Sequence, residues 1–347
     1  MSLHIAPVTA DDAASVTAWV RVMNQVNDHE TPHFPRRTER AGQLMQRHRL
    51  PARIVRDHLA WLDGEPVARL ETSAMTEQNQ RSLAFTIEVV PAFRRRGIGR
   101  ALFERMLEYA REHGHTKLIT GTSLSLPDLP APDEAGPAFA TALGFSNTLP
   151  EVQRRLDVAG VDENVLAGML SAARAKAAGY RVVRWRDAAP AEHVERVAYL
   201  DSRLMADAPM GDLSLEPEKP DVARHRRIEQ VLAARERRTF HTGAVHEDSG
   251  ELVAWTFISA GDEAPWHAFQ QITIVDPKHR GHRLGALVKV ENLRFFCEAE
   301  PQVAHIDTFN AAENSYMISI NEQMGFRPVA AFQNWQRDLE PSAEPAA

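Results

Sequence analysis

The stretch from Phe85 to Ala110 constrains the fold of this 347-residue chain more than any other part of its sequence. Residues 85–90 are mostly β-branched or apolar and end at Pro91, which predicts a buried strand. Residues 98–110 repeat apolar side chains at three- and four-residue spacing, which predicts an amphipathic helix. The turn and the helix start contain Arg94, Arg95, Arg96, Gly97, Gly99 and Arg100. A helix start presents free N–H groups and a positive dipole end, so this turn predicts an anion site.

The turn differs from two common nucleotide-binding motifs. It reads G-x-G-x-x-L from Gly97 to Leu102, so the third glycine of a dinucleotide fingerprint is missing, and the P-loop lysine pattern is absent. The order V-x-P-x-x-R-x-x-G-x-G, from Val89 to Gly99, instead resembles the acetyl-CoA pyrophosphate loop of the GCN5-related N-acetyltransferase (GNAT) superfamily. The alternative is a basic turn that caps an ordinary helix.

A second copy of the pattern lies 186 residues further along the chain, where residues 270–285 give another strand, basic turn and helix start. The residues that match at this spacing are Pro91 and Pro277, Arg94 and Arg280, and Gly99 and Gly285. The L-G-F at 143–145 recurs as M-G-F at 324–326, a spacing of 181. Two near-equal spacings of similar residues, in the same order, predict an internal duplication.

Both repeats resemble complete acetyltransferase domains, and the whole chain is similar in architecture to tandem acetyltransferases of the mycothiol synthase kind. The resemblance implies an α/β (α+β) fold with two tandem GNAT-like domains. Each would be a mixed, mostly antiparallel sheet with splayed central strands and flanking helices. The predicted divisions are an N-terminal acetyl-CoA-binding domain at 1–158, a connector helix at 159–179, a C-terminal domain at 180–338 and a disordered tail at 339–347.

Turn and cap signals predict further elements. Asp11 or Asp12 can cap a helix that runs towards Asn27. Two β-hairpins are predicted by turn residues, with strands at 54–61 and 66–73 across Asp63-Gly64, and at 240–246 and 252–259 across residues 248–250.

Composition excludes several classes of function. The net charge of −7 argues against nucleic acid as the main partner, and the single cysteine, Cys297, excludes an intrachain disulfide and a cysteine-built metal site. Residues 29–33 match H-E-x-x-H, but Pro32 disfavours the helix that this zinc motif needs, so no metal site is expected. Without a membrane-length apolar run or a signal-peptide pattern, the expected location is cytoplasmic, with no membrane partner.

The resemblance implies which residues contact acetyl-CoA, the expected co-substrate. Backbone N–H groups of the two turns would bind its pyrophosphate, and the strand backbone at Val89 and Val275 would pair with pantetheine. The second turn has Arg283 in place of the first glycine, whereas Asn314 matches an asparagine of the family where the first repeat has Asp133. The predicted cofactor-binding residues are Val89, Val90, Arg94, Arg95, Arg96, Gly97, Ile98, Gly99, Arg100, Ile274, Val275, Arg280, Gly281, His282, Arg283, Leu284, Gly285 and Asn314.

The catalytic acid and base stay open in both repeats. The family's tyrosine, four residues before the G-F glycine, is replaced by Ala140 and Asn321, and Tyr316 is either an acid in an unusual geometry or a buried core residue. Strand alternation directs Glu88 away from the face of Val89, which favours a structural or salt-bridge role. In the second repeat that face carries Gln271 and Thr273, which can orient an amine, so the second repeat is the predicted catalytic one.

The loop at 205–216 is the expected substrate contact of the second repeat, since this family binds its substrates largely through the first two helices and the loop between them. It contains carboxylates without a compensating cation in the sequence, including Asp207 and Glu216, which can bind a cationic amine or act as a base through water. The alternative is a solvated acidic loop. The candidate catalytic residues are Gln271, Asp207, Glu216 and Tyr316.

The resulting prediction is an acyltransferase that moves an acetyl group from acetyl-CoA to the primary amine of a small molecule, such as an aminosugar, an amino acid derivative or a polyamine. The expected assembly is a monomer or homodimer. Two alternatives remain: a CoA-binding regulatory or scaffold protein that has lost catalysis, as the two missing tyrosines allow, and a protein N-acetyltransferase.

Overall fold

The computed structural model describes residues 2–207 and 209–340, which form two compact units. Unit 1 draws on Met1–Pro150, Gly211–Ser214 and Ala330–Ala347, and unit 2 on Glu151–Met210 and Leu215–Val329. Residues 341–347 of the predicted tail and Ala208 of the predicted substrate loop lie outside the described residues.

Unit 1 begins with a strand, two helices and a three-stranded meander, followed by the predicted strand, turn and helix. Its elements are β1 (Leu3–Pro7), α1 (Ala13–Glu30), α2 (Glu39–Arg47), β2 (Arg53–Leu62), β3 (Glu65–Met75), β4 (Ser82–Val89), α3 (Ile98–Glu112), β5 (Lys117–Ser123) and α4 (Ala135–Ala142). The side chain of Asp12 accepts a hydrogen bond from the Ser15 N–H and caps α1, as predicted. Asp63 and Gly64 both have positive φ angles, which a two-residue hairpin turn requires.

Unit 2 repeats this order after the strand β6 (Ser146–Asp157), which starts in unit 1. Its elements are α5 (Glu163–Arg174), β7 (Tyr180–Arg186), α6 (Val194–Ser202), α7 (Leu204–Asp207), α8 (Val222–Ala234), β8 (Arg237–His246), β9 (Leu252–Gly261), β10 (His267–Val275), α9 (Leu284–Ala299), β11 (His305–Ala311) and α10 (Ser315–Met324), followed by β12 (Arg327–Asp338). The helix α5 lies within the predicted connector and packs in the core of unit 2.

Each unit takes its last strand from the other repeat. In unit 1, β12 pairs antiparallel with β5, and in unit 2, β6 pairs antiparallel with β11. The strand order is therefore β1-β2-β3-β4-β5-β12 in unit 1 and β7-β8-β9-β10-β11-β6 in unit 2. The compact units thus divide the chain differently from the repeats, whose predicted boundaries stay a prediction. Strand sequences favour a buried sheet position without specifying the partner, which explains the difference.

Helices cover both faces of each sheet, and alternate strand residues enter different cores. In unit 1, Leu59 packs with α1, while Ala60 packs with α3 and α4. In unit 2, Trp255 packs with α6, while Ala254 packs with α5, α9 and α10. One strand pair in each unit is parallel and the rest are antiparallel, which confirms the predicted mixed, mostly antiparallel sheet. In the described chain, no helix combines the length and apolar character needed to cross a membrane.

Candidate functional site

The predicted phosphate turn of unit 1 has the backbone of an anion site. After the 3-10 turn Pro91–Phe93, Arg95 and Gly97 adopt left-handed φ angles of 64° and 82°, and α3 begins at Ile98. Ala101 is the first residue of α3 whose N–H forms a helical hydrogen bond, which it donates to the Gly97 carbonyl. The N–H groups from Ile98 to Arg100 therefore lack intrahelical acceptors and can bind an anion.

Unit 2 reaches the same turn with a different sequence. Gly281 and Arg283 have φ angles of 87° and 56°, so glycine and arginine exchange places relative to Arg95 and Gly97. The N–H of Leu287 donates to the Arg283 carbonyl, which leaves the N–H groups from Leu284 to Ala286 in the same position as in unit 1. The backbone conformation of the turn is therefore retained although Arg283 replaces the first glycine.

The central strands of unit 1 splay, as the resemblance implied. β4 and β5 pair only from Ser82–Ala84 to Lys117–Ile119 and then diverge. Beyond this point lies a cavity of about 630 Å³, hereafter the unit 1 cavity. Its lining is Val26, Asn27, Glu30, Thr31, Phe34, Thr86, Ile87, Glu88, Val89, Phe93, Arg94, Arg95, Gly97, Ile98, Gly99, Arg100, Gly121, Thr122, Ser123, Ala135, Gly136, Ala138, Phe139, Ala142 and Phe332. The cavity thus runs from the phosphate turn to the divergent strands.

Seven of the nine residues predicted for the cofactor in unit 1 line this cavity: Val89, Arg94, Arg95, Gly97, Ile98, Gly99 and Arg100. The other two are directed elsewhere. Val90 packs in the core beneath α1, and the Arg96 guanidinium lies over the Phe93 ring, 5.1 Å from its centre, and donates to the Ala92 carbonyl.

Arg94 joins two carboxylates at the edge of the cavity. Its Nη2 lies 2.6 Å from Glu30 Oε1, its Nη1 lies 2.5 Å from Asp133 Oδ2, and its Nε donates to the Val89 carbonyl. The arginine predicted to bind phosphate therefore carries a charge that Glu30 and Asp133 compensate. Ser123 Oγ donates to Glu30 Oε2 at 2.7 Å, which extends the network to the end of β5.

Asp133 has two further partners besides Arg94. His29 Nε2 lies 2.8 Å from its Oδ2, and the Ala135 N–H donates to its Oδ1 at the start of α4. Burial alone would raise the pKa of Asp133, but the hydrogen bonds and the Arg94 charge lower it below its usual value. His29, Glu30 and Asp133 are close enough to ligate a metal, yet the Arg94 guanidinium already binds both carboxylates, which disfavours a second cation.

Glu88 forms the predicted salt bridge, with the Arg69 Nε. Arg69 is buried between Glu88 and Glu71 with its guanidinium 5.7 Å from the Trp19 ring, and although burial opposes its charge, these carboxylates raise its pKa. Glu88 nevertheless lines the unit 1 cavity beside Val89. Strand alternation alone does not predict this access, because residues of both strand faces, Thr86 and Glu88 on one and Ile87 and Val89 on the other, line the cavity.

Unit 2 also has diverging central strands, and one of them is bulged. β10 and β11 pair only from His267–Phe269 to His305–Asp307, and the gap beyond is hereafter the unit 2 slot. The register of β10 against β9 shifts by one residue between Gln270 and Thr273. This bulge breaks the alternation that placed Gln271 and Thr273 on one face. Gln271 is exposed, whereas the Thr273 hydroxyl lies 2.8 Å from the buried Thr256 hydroxyl.

The prediction that Asp207 lacks a compensating cation is wrong. Arg203 binds both of its oxygens, at 2.9 and 2.6 Å, and Arg280 Nη2 lies 3.1 Å from Oδ2. Arg280 is remote in the chain, so the sequence could not reveal that contact, whereas Arg203 stands four residues before Asp207, at a spacing typical of helical ion pairs. Glu216 is exposed, and between these two residues Gly211–Ser214 pack with unit 1, so the loop does not act as one acidic surface.

Tyr316 is 61% exposed, so the interpretation as a buried core residue is wrong. Its ring lies at the start of α10, with Cε1 4.0 Å from where a Cβ on Gly285 would stand. Asn314 caps the same helix by accepting a hydrogen bond from the Met317 N–H. Both residues therefore lie near the phosphate turn of unit 2.

The remaining predicted residues of unit 2 are divided between its cores and its surface. Leu284 and Gly285 are buried, Val275 packs beside α9, and Ile274 packs on the opposite face with α6. Gly281 and Arg283 are exposed in the turn, and His282 Nδ1 lies 3.1 Å from the Lys176 carbonyl oxygen. These residues stay predicted contacts of the cofactor.

Several polar residues that line the unit 1 cavity were not predicted from the sequence, among them Glu30, Thr122 and Ser123. Glu30 belonged to the rejected H-E-x-x-H match, and Thr122 and Ser123 are the last two residues of the strand β5. A sequence interpretation that continued this strand to Ser123 would have identified the hydroxyl groups of Thr122 and Ser123 at its C-terminal end.

Comparison with known proteins agrees with the duplicated architecture. The model of the Acetyltransferase (GNAT) family matches residues 19–128. A tandem GNAT protein from the clavulanic acid biosynthesis pathway is similar over 99% of this chain and 100% of its own, with 30% identity and a TM-score of 0.83. A GCN5-related N-acetyltransferase from Sphaerobacter thermophilus shares the fold, at 12% identity and a TM-score of 0.66 over 99% of this chain and 98% of its own. A search of the curated proteins found no match.

The tandem GNAT protein at 30% identity aligns along 99% of this chain, so the likeness includes both splayed sheets described above. The protein therefore belongs to the GNAT acetyltransferase family, in which it has two GNAT domains in tandem.

Proposed function

We propose that unit 1 transfers an acetyl group from acetyl-CoA to the primary amine of a small molecule. This proposal rests on the unit 1 cavity, which extends from the start of α3, where N–H groups are free to bind an anion, to the gap between β4 and β5. Glu30 and Glu88 line this cavity. The neighbour of 30% identity comes from a biosynthetic pathway for a small molecule, which supports an acceptor of the same kind.

The backbone around Gly97 fits a pyrophosphate. A Cβ on Gly97 would meet no atom within 4 Å, so the space in front of the turn is open, and the N–H groups from Ile98 to Arg100 face it without helical partners. Gly99 packs against Phe139 and Val89, which keeps the helix close to β4. Bound there, acetyl-CoA supplies the activated acetyl thioester, and the pantetheine arm would lie between β4 and β5.

Two carboxylates can hold and deprotonate the amine. Glu30 accepts hydrogen bonds from Ser123 Oγ and Arg94 Nη2, and Glu88 pairs with Arg69, so both carboxyl groups are fixed in position. An ammonium ion that enters the cavity would meet this negative pair and lose its proton to one of the carboxylates before attack. Ala140 occupies the place of the family's acidic tyrosine, so the Ser123 hydroxyl and water are the remaining proton donors for the leaving thiolate.

This assignment differs from the sequence prediction, which favoured unit 2 with Gln271, Asp207, Glu216 and Tyr316. Arginines bind both oxygens of Asp207, whereas Arg94 binds one oxygen of Glu30 and Arg69 binds one oxygen of Glu88. Asp207 is therefore the less available base, and Gln271 is exposed beside a bulge. The identity of the amine, the cytoplasmic location and the monomeric or dimeric assembly stay predictions.

The experiment compares Gly97→Glu with Gly114→Glu in an acetyl-transfer assay against a panel of aminosugars, amino acid derivatives and polyamines. Both glycines have left-handed φ angles, 82° and 70°, and open space around a Cβ, so both variants suffer the same backbone strain. Only Gly97 lies at the cavity, where a glutamate would repel the pyrophosphate. We expect Gly97→Glu to lose transfer about 100-fold or more, as is typical for a removed positioning group, while Gly114→Glu retains it. Equal activity in both variants would contradict catalysis in unit 1.

A further inference from the structure

The core beside the unit 2 slot is polar at positions where unit 1 is apolar. Sheet register and the 186-residue spacing of the α3 and α9 residues identify equivalent positions. The equivalents are Phe85 and Gln270, Phe103 and Lys289, and Met106 and Asn292. All six are buried. Unit 1 fills this region with an aromatic cluster of Phe85, Phe103 and Phe145, whereas unit 2 holds an ammonium group and two amides there.

Arg154 differs more from its equivalent in unit 1 than any other residue of this core. It lies on β6 opposite Thr308 of β11, and the equivalent residue of unit 1 is Trp335, opposite Thr120 of β5. Trp335 Nε1 donates to the Thr122 hydroxyl at 2.8 Å, and Thr122 lines the unit 1 cavity. A side chain at this position therefore extends towards the slot of its unit.

The Arg154 side chain is 5% exposed overall, and neither its Nε nor its Nη1 has a hydrogen-bond partner among the described residues. No described carboxylate forms an ion pair with it, and the attraction of the exposed Glu322 does not offset the burial that lowers the pKa of Arg154. Arginine does not lose its proton in proteins, so this is a buried cation whose anion is missing.

Two more groups beside the slot have unused bonding capacity. Asn321 is fully buried on α10; its Nδ2 donates to Asn310 Oδ1 of β11, but its own Oδ1 has no partner in the described chain. Lys289 is 1% exposed, with its Nζ 5.5 Å from the centre of the Phe326 ring, and burial lowers its pKa to about 7. A second cation is therefore available near neutral pH in the same core.

A buried polar group that is left unsatisfied destabilises a fold, and an uncompensated charge does so more strongly. A core with Arg154 and Lys289 in place of aromatic side chains is explained if a ligand brings the missing acceptors. The ligand must be anionic, because arginine and lysine are donors only. The phosphates of CoA would already be bound at the start of α9, so the anion must belong to another part of the ligand.

We propose that the unit 2 slot binds a CoA thioester whose acyl chain carries a carboxylate, and that Arg154 binds this carboxylate. Such a ligand would place its phosphates at Gly281–Ala286 and its acyl end between β10 and β11, where Arg154 lies opposite Thr308 of β11. The inference rests on CoA binding by the second GNAT domain and is independent of the amine acetylated in unit 1.

The test uses the full chain with Gly97→Glu, which leaves the phosphate turn of unit 2 as the intact one. Succinyl-CoA and butyryl-CoA, which have four-carbon acyl chains with and without a carboxylate, are titrated by calorimetry. We expect succinyl-CoA to bind roughly 10- to 100-fold more tightly, as is typical of a hydrogen bond to a charged group. Adding Arg154→Met should bring the ratio close to one, whereas Arg327→Met, a change of an exposed arginine in the same unit, should preserve it.

A melting curve without ligand shows whether Arg154→Met is folded, and we expect its Tm to equal or exceed that of the parent because an uncompensated charge is removed. Equal binding of the two thioesters, or a preference that survives Arg154→Met, would overturn the proposal. So would Arg154-dependent binding of free succinate beside butyryl-CoA, which would assign the carboxylate to a second substrate. Failure of both thioesters to bind would exclude CoA from unit 2 and leave the function of unit 1 intact.

Discussion

The phosphate turns of the two units have the same backbone but opposite placement of glycine and arginine. Unit 1 uses Arg95 and Gly97 at its two left-handed positions, and unit 2 uses Gly281 and Arg283. The side chains behind the turns differ much more, because an aromatic core in unit 1 corresponds to Gln270, Lys289 and Asn292 in unit 2. Anion binding by N–H groups depends on backbone geometry alone, whereas the slot depends on its side chains. The two units have therefore kept the backbone of the phosphate turn and diverged in the side chains behind it.

The buried ion cluster of unit 2 should give the largest stability difference between the units. Asp307 on β11 is fully buried and binds Arg155, Gln153 and His267, while the equivalent residue of β5 is Ile119. We expect Asp307→Asn to lower the free energy of unfolding by about 3–5 kcal/mol, since it removes the buried carboxylate that Arg155 and His267 bind. Ile119→Val, measured in the same urea titrations, should lower it by about 1 kcal/mol.

The pKa of Asp307 adds a pH test of the same cluster. Burial opposes its charge, but the hydrogen bonds from Arg155 and His267 lower the pKa to about 2. Because this pKa lies below the unfolded value of about 4, the contribution is complete above pH 4 and disappears as the pH falls through 2. An Asp307→Asn effect that is the same at pH 3 and pH 7 would contradict the ion pairs.

The equivalence of the two turns predicts that one added negative charge in either turn prevents that unit from binding CoA. We expect Gly281→Glu to remove CoA binding from unit 2 by about 100-fold, since it opposes the same helix start that Gly97→Glu opposes in unit 1. Gly250→Glu is the control, with a φ of 72° and open space but a position in a hairpin turn. Calorimetric stoichiometry should fall from two sites to one with either turn variant. A single site in the unchanged protein would show that only one unit binds CoA.

A buried histidine makes unit 2 sensitive to alkaline pH. His225 on α8 lies 3.5 Å from Asp201 on α6 and 3.3 Å from Glu229; burial opposes its charge, but these carboxylates raise its pKa to about 9. Because the folded value exceeds the unfolded value of about 6.5, this contribution is complete below pH 6.5 and disappears as the pH rises through 9. We expect a loss of about 2 kcal/mol over that range that His225→Gln abolishes and the exposed-site variant His113→Gln does not.

The smallest expected effect on stability concerns the left-handed positions of the turns, where the two units exchange glycine and arginine. Arg283 is held in a left-handed conformation that glycine adopts freely, so Arg283→Gly should stabilise unit 2 by up to about 1 kcal/mol. Arg181→Gly, in the strand β7, should instead destabilise the protein by about 1 kcal/mol. If both changes destabilise equally in chemical unfolding, the arginine is not strained and the two turns are less alike than their φ angles indicate.

The sequence alone determined the duplication, the two phosphate turns, the caps and the hairpins. These features depend on residues close together in the chain: Asp12 caps its own helix three residues on, and Asp63-Gly64 turns its own hairpin. The repeat spacing then placed the second set of elements, and the fold class followed from the family resemblance.

Tertiary structure alone decided which residues meet across long separations. Arg94 binds Glu30 and Asp133, Asp207 binds Arg280, and the last strand of each repeat pairs in the other unit. The bulge in β10 also moved Gln271 out of the predicted alternation. Ion pairing and strand pairing depend on distance in space, and neither charge nor periodicity specifies a partner among many similar residues. Local patterns could therefore identify the turns, whereas the cavity and the buried cation beside the second slot required the folded chain.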